Sequence, residues 1–391
     1  MRVKQLIYLL FLFGAIMGCG LRETKTGSHF PLDKWERHEY PVLDGFLTAY
    51  QPCVREVNDE IYPYRMWFFG WMTEVCNPEY PGCDAIFIAR SKNLEEWEVF
   101  CKDGAWDNKK QVQNWVPVIF SNTNEVQYFF DSWHTGDPSV VIKDGIYYMA
   151  YSATSKDFGG KKIQGYPSDM ILCVMGATSM DGIHWQKTEK PLLIAEMDTI
   201  FPPLPQGKRI GDFHRPSLLW DAGNQKWKLY FDYYNYSIEG NYHVSLAEND
   251  GDFRTDKFVF VNDLNKPLIL NWPNPDVFII DDIYYSVSDG PGYPKKCWES
   301  RQISFAQSAD GKNWEKKYII PPDSGIEANQ VPQAFICEND GKQWLYIFYA
   351  TQIGWRTDLH NNYYFIRKGD YNWNYDQIRY MRQEVKTLKN R

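Results

Sequence analysis

Residues 134–152 read HTGDPSVVIKDGIYYMAYS. Runs rich in Val, Ile and Tyr flank Lys143-Asp144-Gly145, so the stretch predicts a strand, a tight turn and a second strand. The first strand opens on Asp137-Pro138. Proline has no backbone N–H and a fixed φ, so it suits a strand's first residue. An acid in front of it is then presented at the strand's mouth.

The pattern recurs along the chain. YQPCVREV pairs with YRMWFFGW, HRPSLLWDAGNQ with KWKLYFDYY, NPDVFIIDD with IYYSVSD, and VPQAFICENDGK with QWLYIFYA. The marker prolines are Pro52, Pro138, Pro216, Pro275 and Pro332. A second marker, Ala-x-Ser or Ala-x-Asn, ends a third apolar strand at Ala89, Ala177, Ala247 and Ala306. Three of these lead through SKNLEEW, SMDGIHW and SADGKNW to Trp97, Trp185 and Trp314, which are expected in the core. The third copy is shortened and ends at Phe253, and IRKGDYNW is the candidate for the fifth. Long helical periodicity is missing between residues 40 and 375. The expected fold is all-β: a five-bladed β-propeller of four-stranded antiparallel blades, with a β-sandwich as the alternative.

The 391 residues are 44% hydrophobic and 24% charged, enough for a large core. Aromatic residues reach 17%, which suits strands and, where exposed, stacking on sugar rings. A net charge of -8 with no basic stripe argues against a nucleic-acid partner. Arg2 and Lys4 precede an apolar run, Leu6 to Met17, that is short for a membrane span. It ends in Ile16-Met17-Gly18-Cys19, which resembles a bacterial lipoprotein signal. Residues 1–18 are then the signal peptide, and 19–38 the lipidated Cys19 with a polar tether. The propeller spans 39–378, and 379–391 form a charged C-terminal tail. The expected location is the bacterial cell envelope, with the lipid anchor as the membrane contact. The other seven cysteines are odd in number and scattered, so most read as core residues, although Cys76 and Cys83 could pair.

With its Asp-Pro-Ser-Val start, Asp-Gly turn, Tyr-Tyr pair and S-x-D-G-x-x-W turn, the chain resembles the five-bladed β-propeller glycoside hydrolases. That group includes glycoside hydrolase family 43, the invertases and family 117. The resemblance implies that the residue before each marker proline borders an axial funnel holding a sugar. These residues are Gln51, Asp137, Arg215, Asn274 and Val331. Family 43 would place a base Asp, a modulating Asp and an acid Glu in the first three blades, and Asp137 alone matches. Gln51 stands for the base, and Arg215 lies where the acid is expected.

Glycoside cleavage uses two carboxyl groups, about 5 Å apart for retention and about 6.5–9.5 Å apart for inversion. The catalytic candidates are Asp137, Asp276 after Pro275, Glu327 in GIEANQVP and Asp212 in GDFHRP. Asp44 is a weaker first-blade candidate, and Asp289, ending a second strand, is expected to point elsewhere. Substrate-binding candidates are Gln51, His134, His214, Arg215, Asn274 and Gln330, with Trp133 and Trp272 as stacking platforms. Arg215 pairs with Asp137 or Asp212, or else recognises an anionic sugar. No metal motif or cofactor is evident, and calcium near the axis is left open. The expected function is an exo-acting, inverting glycosidase of plant or algal oligo- or polysaccharides. The alternative is a non-catalytic carbohydrate-binding propeller.

Overall fold

The computed structural model describes residues 35–43, 48–71, 84–108, 114–121, 130–132, 134–155, 171–195, 210–235, 237–240, 242–290, 301–320, 326–353 and 377–385. They build five antiparallel sheets, one for each marker proline, and contain no α-helix. The protein is a five-bladed β-propeller.

The inner strands are Thr48–Glu56, His134–Lys143, Ile210–Asp221, Asp276–Ile280 and Ile326–Asn339. In each of the first four blades, further strands follow outward in chain order. The fifth departs from this plan. Outside Ile326–Asn339 and Lys342–Ile353 lies Gln377–Glu384, and the N-terminal pair Glu36–Arg37 completes the sheet. Glu36 pairs with Arg382 and Arg37 with Met381. The strand Gln377–Glu384 runs past the expected propeller end at 378 into the expected tail, and 36–37, expected in the tether, pair with it. Ile378, Tyr380 and Met381 explain this, because their side chains are buried in core packing. The signal peptide, Cys19, Asp44, Cys76, Cys83 and IRKGDYNW lie outside the described residues.

Four of the five marker prolines sit at a register irregularity, and Pro275 directly precedes its strand. Register shifts fall between Tyr50 and Cys53, Gly136 and Ser139, His214 and Ser217, and Gln330 and Gln333. The residue before every marker proline is left-handed, with φ 41° at Gln51, 52° at Asp137, 47° at Arg215, 51° at Asn274 and 45° at Val331. Such a bulge leaves a residue unpaired, which costs least where proline has no N–H to lose, and it re-aims the side chain beside it. The conformation is costly for a β-branched residue, so Val331 is held by its surroundings.

One residue beyond each proline, a closed collar joins the blades. Cys53 Sγ accepts the Val140 N–H at 3.2 Å, Ser139 Oγ that of Leu218 at 2.9 Å, and Ser217 Oγ that of Val277 at 2.8 Å. Asp276 Oδ2 accepts from Ala334 N–H at 2.8 Å, and Gln333 Oε1 from Val54 N–H at 2.9 Å, which closes the circle.

Farther out, aromatic packing repeats between neighbours. Trp67 meets Trp185 at 6.3 Å, Tyr230 meets Trp314 at 6.1 Å, and Phe348 meets Trp97 at 6.3 Å, all edge to face. Each turn Trp donates its indole N–H to the carbonyl three residues earlier: Leu94, Gly182 or Gly311. The Ser and the Asp or Asn of the same turn accept the backbone N–H groups between them.

Candidate active site

The left-handed residues before the prolines are polar in four blades, Gln51, Asp137, Arg215 and Asn274, and apolar in the fifth, Val331. Five carboxylates are buried among the described residues: Asp131, Asp137, Asp232, Asp276 and Asp289. Four are engaged. Asp131 accepts from Tyr151 Oη at 3.0 Å and Lys187 Nζ at 2.5 Å. Asp289 takes Arg301 at 3.1 Å and the Val331 N–H at 3.2 Å. Asp276 accepts the Ser217 hydroxyl at 3.0 Å besides its collar bond.

Asp232, in the second strand of the third blade (Lys226–Asn235), gathers three partners. His214 Nδ1 lies 2.7 Å away, Arg215 Nη1 3.3 Å, and the Asn274 N–H 2.8 Å. Burial alone would raise this carboxyl, but His214 and Arg215 outweigh it and hold it below the usual carboxylate range. At Asp276 burial wins, and the carboxyl is pushed up despite nearby Arg55.

Asp137 differs. It is 5% exposed, yet no described residue makes a hydrogen bond or ion pair with its side chain. At the same repeat position, Gln51 Oε1 in the neighbouring first blade and both amide atoms of Asn274 in the fourth are buried without a partner. A buried polar group without a partner costs free energy, roughly 1–3 kcal/mol each. Unpartnered polar atoms at the same repeat position of several blades make these residues the candidate site.

The other candidates divide. Arg215 pairs with Asp232 instead of Asp137 or Asp212, and its guanidinium lies 5.2 Å from the Tyr242 ring centre. His214 also rests on Tyr242, at 4.9 Å. His134 stands against Phe69 at 5.5 Å, so close to the backbone that a Cβ at Gly136 would come within 2.8 Å of its ring. Gln330 Oε1 accepts from Arg301 at 2.5 Å and from Tyr50 Oη at 3.3 Å, which ties three blades together near the axis. Asp212 is half-buried and left-handed, with φ 54°. Glu327 lies in the fifth inner strand, but its side chain, like Trp133, lies outside the described residues.

Two expectations are corrected. Trp272 is no stacking platform: it is 1% exposed, donates to Ser286 Oγ at 2.9 Å and packs with Val244, Ile269 and Val277. Asp289 does not point away from the axial network, since it holds Arg301 and the backbone of Val331. Sequence reasoning missed Asp232, whose one signal is an acid inside the apolar strand KWKLYFDYYN. Among the described residues no group of three or more His, Cys, Asp or Glu is placed to hold a metal ion.

No protein-family model matches the chain, and no curated protein does. Solved structures do. BT0996, solved as an RGII complex, is 14% identical, with 90% of this chain and 92% of that one covered and a TM-score of 0.57. Zg3597, a family 117 glycoside hydrolase of the marine bacterium Zobellia galactanivorans, is 12% identical over 89% and 90%, with a TM-score of 0.53. An alpha-L-arabinofuranosidase from Lactobacillus brevis is 13% identical over 88% and 91%, with a TM-score of 0.50. At such identities the likeness is one of architecture. The chain shares the five-bladed β-propeller fold of these glycoside hydrolases.

Proposed function

We propose that the protein is a glycosidase in which Asp137 is the reacting carboxylate. The carrying observation is that, among the described residues, Asp137 alone of five buried carboxylates has no partner, and Gln51 and Asn274 at the same repeat position are also unmatched. Of the charged pairs near it, Arg215 is matched by Asp232 and Arg301 by Asp289. Asp137 has no such partner cation among the described residues. It would stabilise the positive charge that develops on the sugar ring, and it favours a neutral sugar at the point of cleavage over an anionic one.

The second group in this reading is His214. Its Nδ1 is committed to Asp232, leaving Nε2 as the nitrogen able to pass a proton to the leaving oxygen. Asp137 then activates water, which makes the reaction inverting. Asp276 has no part in it, because both its oxygens are taken in the collar. Asp212 and Glu327 remain the carboxyl alternatives to His214. The recessed position of Asp137 suits a chain end better than a chain middle, hence exo action on plant or algal oligosaccharides. A calcium ion at the axis would meet suitable oxygen donors in Asp137, Gln51 and Asn274, and no step is routed through it. The leader before Cys19 supports lipid anchoring in the cell envelope, to be tested by palmitate labelling of the wild type against Cys19→Ala.

The deciding experiment is a screen on oligosaccharide digests and aryl glycosides beside Asp137→Asn, with product anomers followed by NMR. Turnover unaffected by the substitution would remove Asp137. Sugar binding without turnover on any substrate would favour the carbohydrate-binding alternative.

A further inference from the structure

A groove of about 620 Å³ runs between the second and third blades, and its walls include Lys143, Met180, Gln186, Trp220 and Arg254. Lys143 is the last residue of the second inner strand, whereas Asp137 stands three residues from its start. Six residues of extended chain put about 20 Å between them, so the groove is separate from the axial funnel.

Its chemistry also differs from the funnel's. Arg254 Nη1 reaches across the blade boundary to Gln186 Oε1 at 2.8 Å, yet its Nε is buried with no partner. Among the described residues no carboxylate pairs with this guanidinium. The neighbouring acid, Asp252, turns its Oδ1 to the backbone N–H groups of Arg254 and Thr255 instead. Lys143 is paired with Asp144 at 2.6 Å, and His184 Nδ1 lies 2.7 Å from Asp181. The apolar wall is partly open: Met180 is 75% exposed, and half-buried Trp220 packs on Trp227 at 4.8 Å. An unneutralised planar fork beside apolar and hydroxyl-bearing surface matches a sugar chain that carries carboxylate or sulfate groups.

We propose that this groove is a second glycan site, binding an acidic stretch of polysaccharide about 20 Å from the reacting sugar. The proposal rests on the glycosidase reading for its ligand class. The funnel would trim a neutral unit while the groove holds the acidic polymer to which such units are attached.

The test is affinity electrophoresis of the full chain carrying Asp137→Asn, so that no hydrolysis intervenes. The gels contain polygalacturonate, carrageenan or neutral arabinan. Retention on at least one acidic gel and not on arabinan is expected, weakened at least tenfold by Arg254→Glu and less by Arg254→Gln, with unchanged melting temperatures. Equal retention of Arg254→Glu and its parent would overturn the proposal. So would release by millimolar inorganic sulfate as effectively as by an acidic oligosaccharide, which would reveal a simple anion site. Turnover by the native chain is measured separately, so the two ideas fail separately. Arg254-dependent retention in a chain that hydrolyses nothing sinks the glycosidase reading alone, and hydrolysis with Arg254-independent retention sinks the groove alone.

Discussion

Two rings circle the same axis on either side of five prolines, and they treat their acids in opposite ways. The residues before the prolines form the left-handed ring, where Asp137 has no partner among the described residues. The residues after them form the collar, where Asp276 is bonded to Ser217 and to the Ala334 N–H of the next blade. The two acids are equally hidden from water and stand at neighbouring positions of equivalent strands. What separates them is which side of the proline they occupy. The left-handed residue has no fixed class of partner, whereas the residue after the proline reaches across to the backbone of a neighbouring blade. Burial alone therefore does not single out Asp137; burial without a partner among the described residues does.

The sharpest break is Asp137→Asn. Losing the reacting carboxylate should lower turnover about a thousandfold while leaving the thermal midpoint in place, as steady-state kinetics and calorimetry would show. Asp232→Asn comes next, because it strands His214 and Arg215 together. About 3 kcal/mol of stability should be lost, along with turnover, and a denaturant titration that found no loss would contradict the pairing. Asp276→Ala leaves two donors without acceptors, which should cost roughly 2 kcal/mol, with kcat on an aryl glycoside retained. The reverse pattern, lost turnover at full stability, would move Asp276 back among the catalytic groups.

Asp276→Asn sharpens the comparison through pH. Burial raises the folded carboxyl, so the unfolded chain ionises it first as pH rises. Wild-type stability is then drained from about pH 4, the unfolded value, upward to the raised folded value. A neutral amide feels no such drain, so the melting temperature of Asp276→Asn should gain on wild type as pH goes from 3 to 7. A constant difference would mean that the collar acid is not raised. The smallest effect is Ser139→Ala, about 1 kcal/mol for one collar bond.

The blade pattern was legible because proline and the turn tryptophans are read by local rules. An x-Pro step tolerates the bulge since no N–H is lost, and Trp97, Trp185 and Trp314 each close their own turn by a bond three residues back. Asp137 was legible for the same reason. Asp232 was not, because its role depends on His214 and on Asn274 of the next blade, a pairing that no spacing rule reveals. Trp272 misled because its nearness to Asn274 in sequence says nothing of its direction. Its backbone N–H bonds to Tyr242, and its ring turns into the core. The collar was within reach of the sequence: Cys53, Ser139, Ser217, Asp276 and Gln333 are all acceptors at one repeat position. The fifth blade misled because its outermost strand comes from the other end of the chain.

That stitched blade also sets the tempo of folding. Arg382 Nε reaches Glu36 Oε2 at 2.9 Å across 346 residues of chain. Loop-closure entropy makes such a contact one of the last to be rewarded, and contacts this distant in sequence slow folding. During synthesis four blades can form in order behind the ribosome, but the fifth sheet stays incomplete until Gln377–Glu384 has emerged to join Lys342–Ile353 to Glu36–Arg37. Until then the sheet edges that will meet remain exposed for pairing with other chains, so the interval before closure is when this protein is most prone to aggregate.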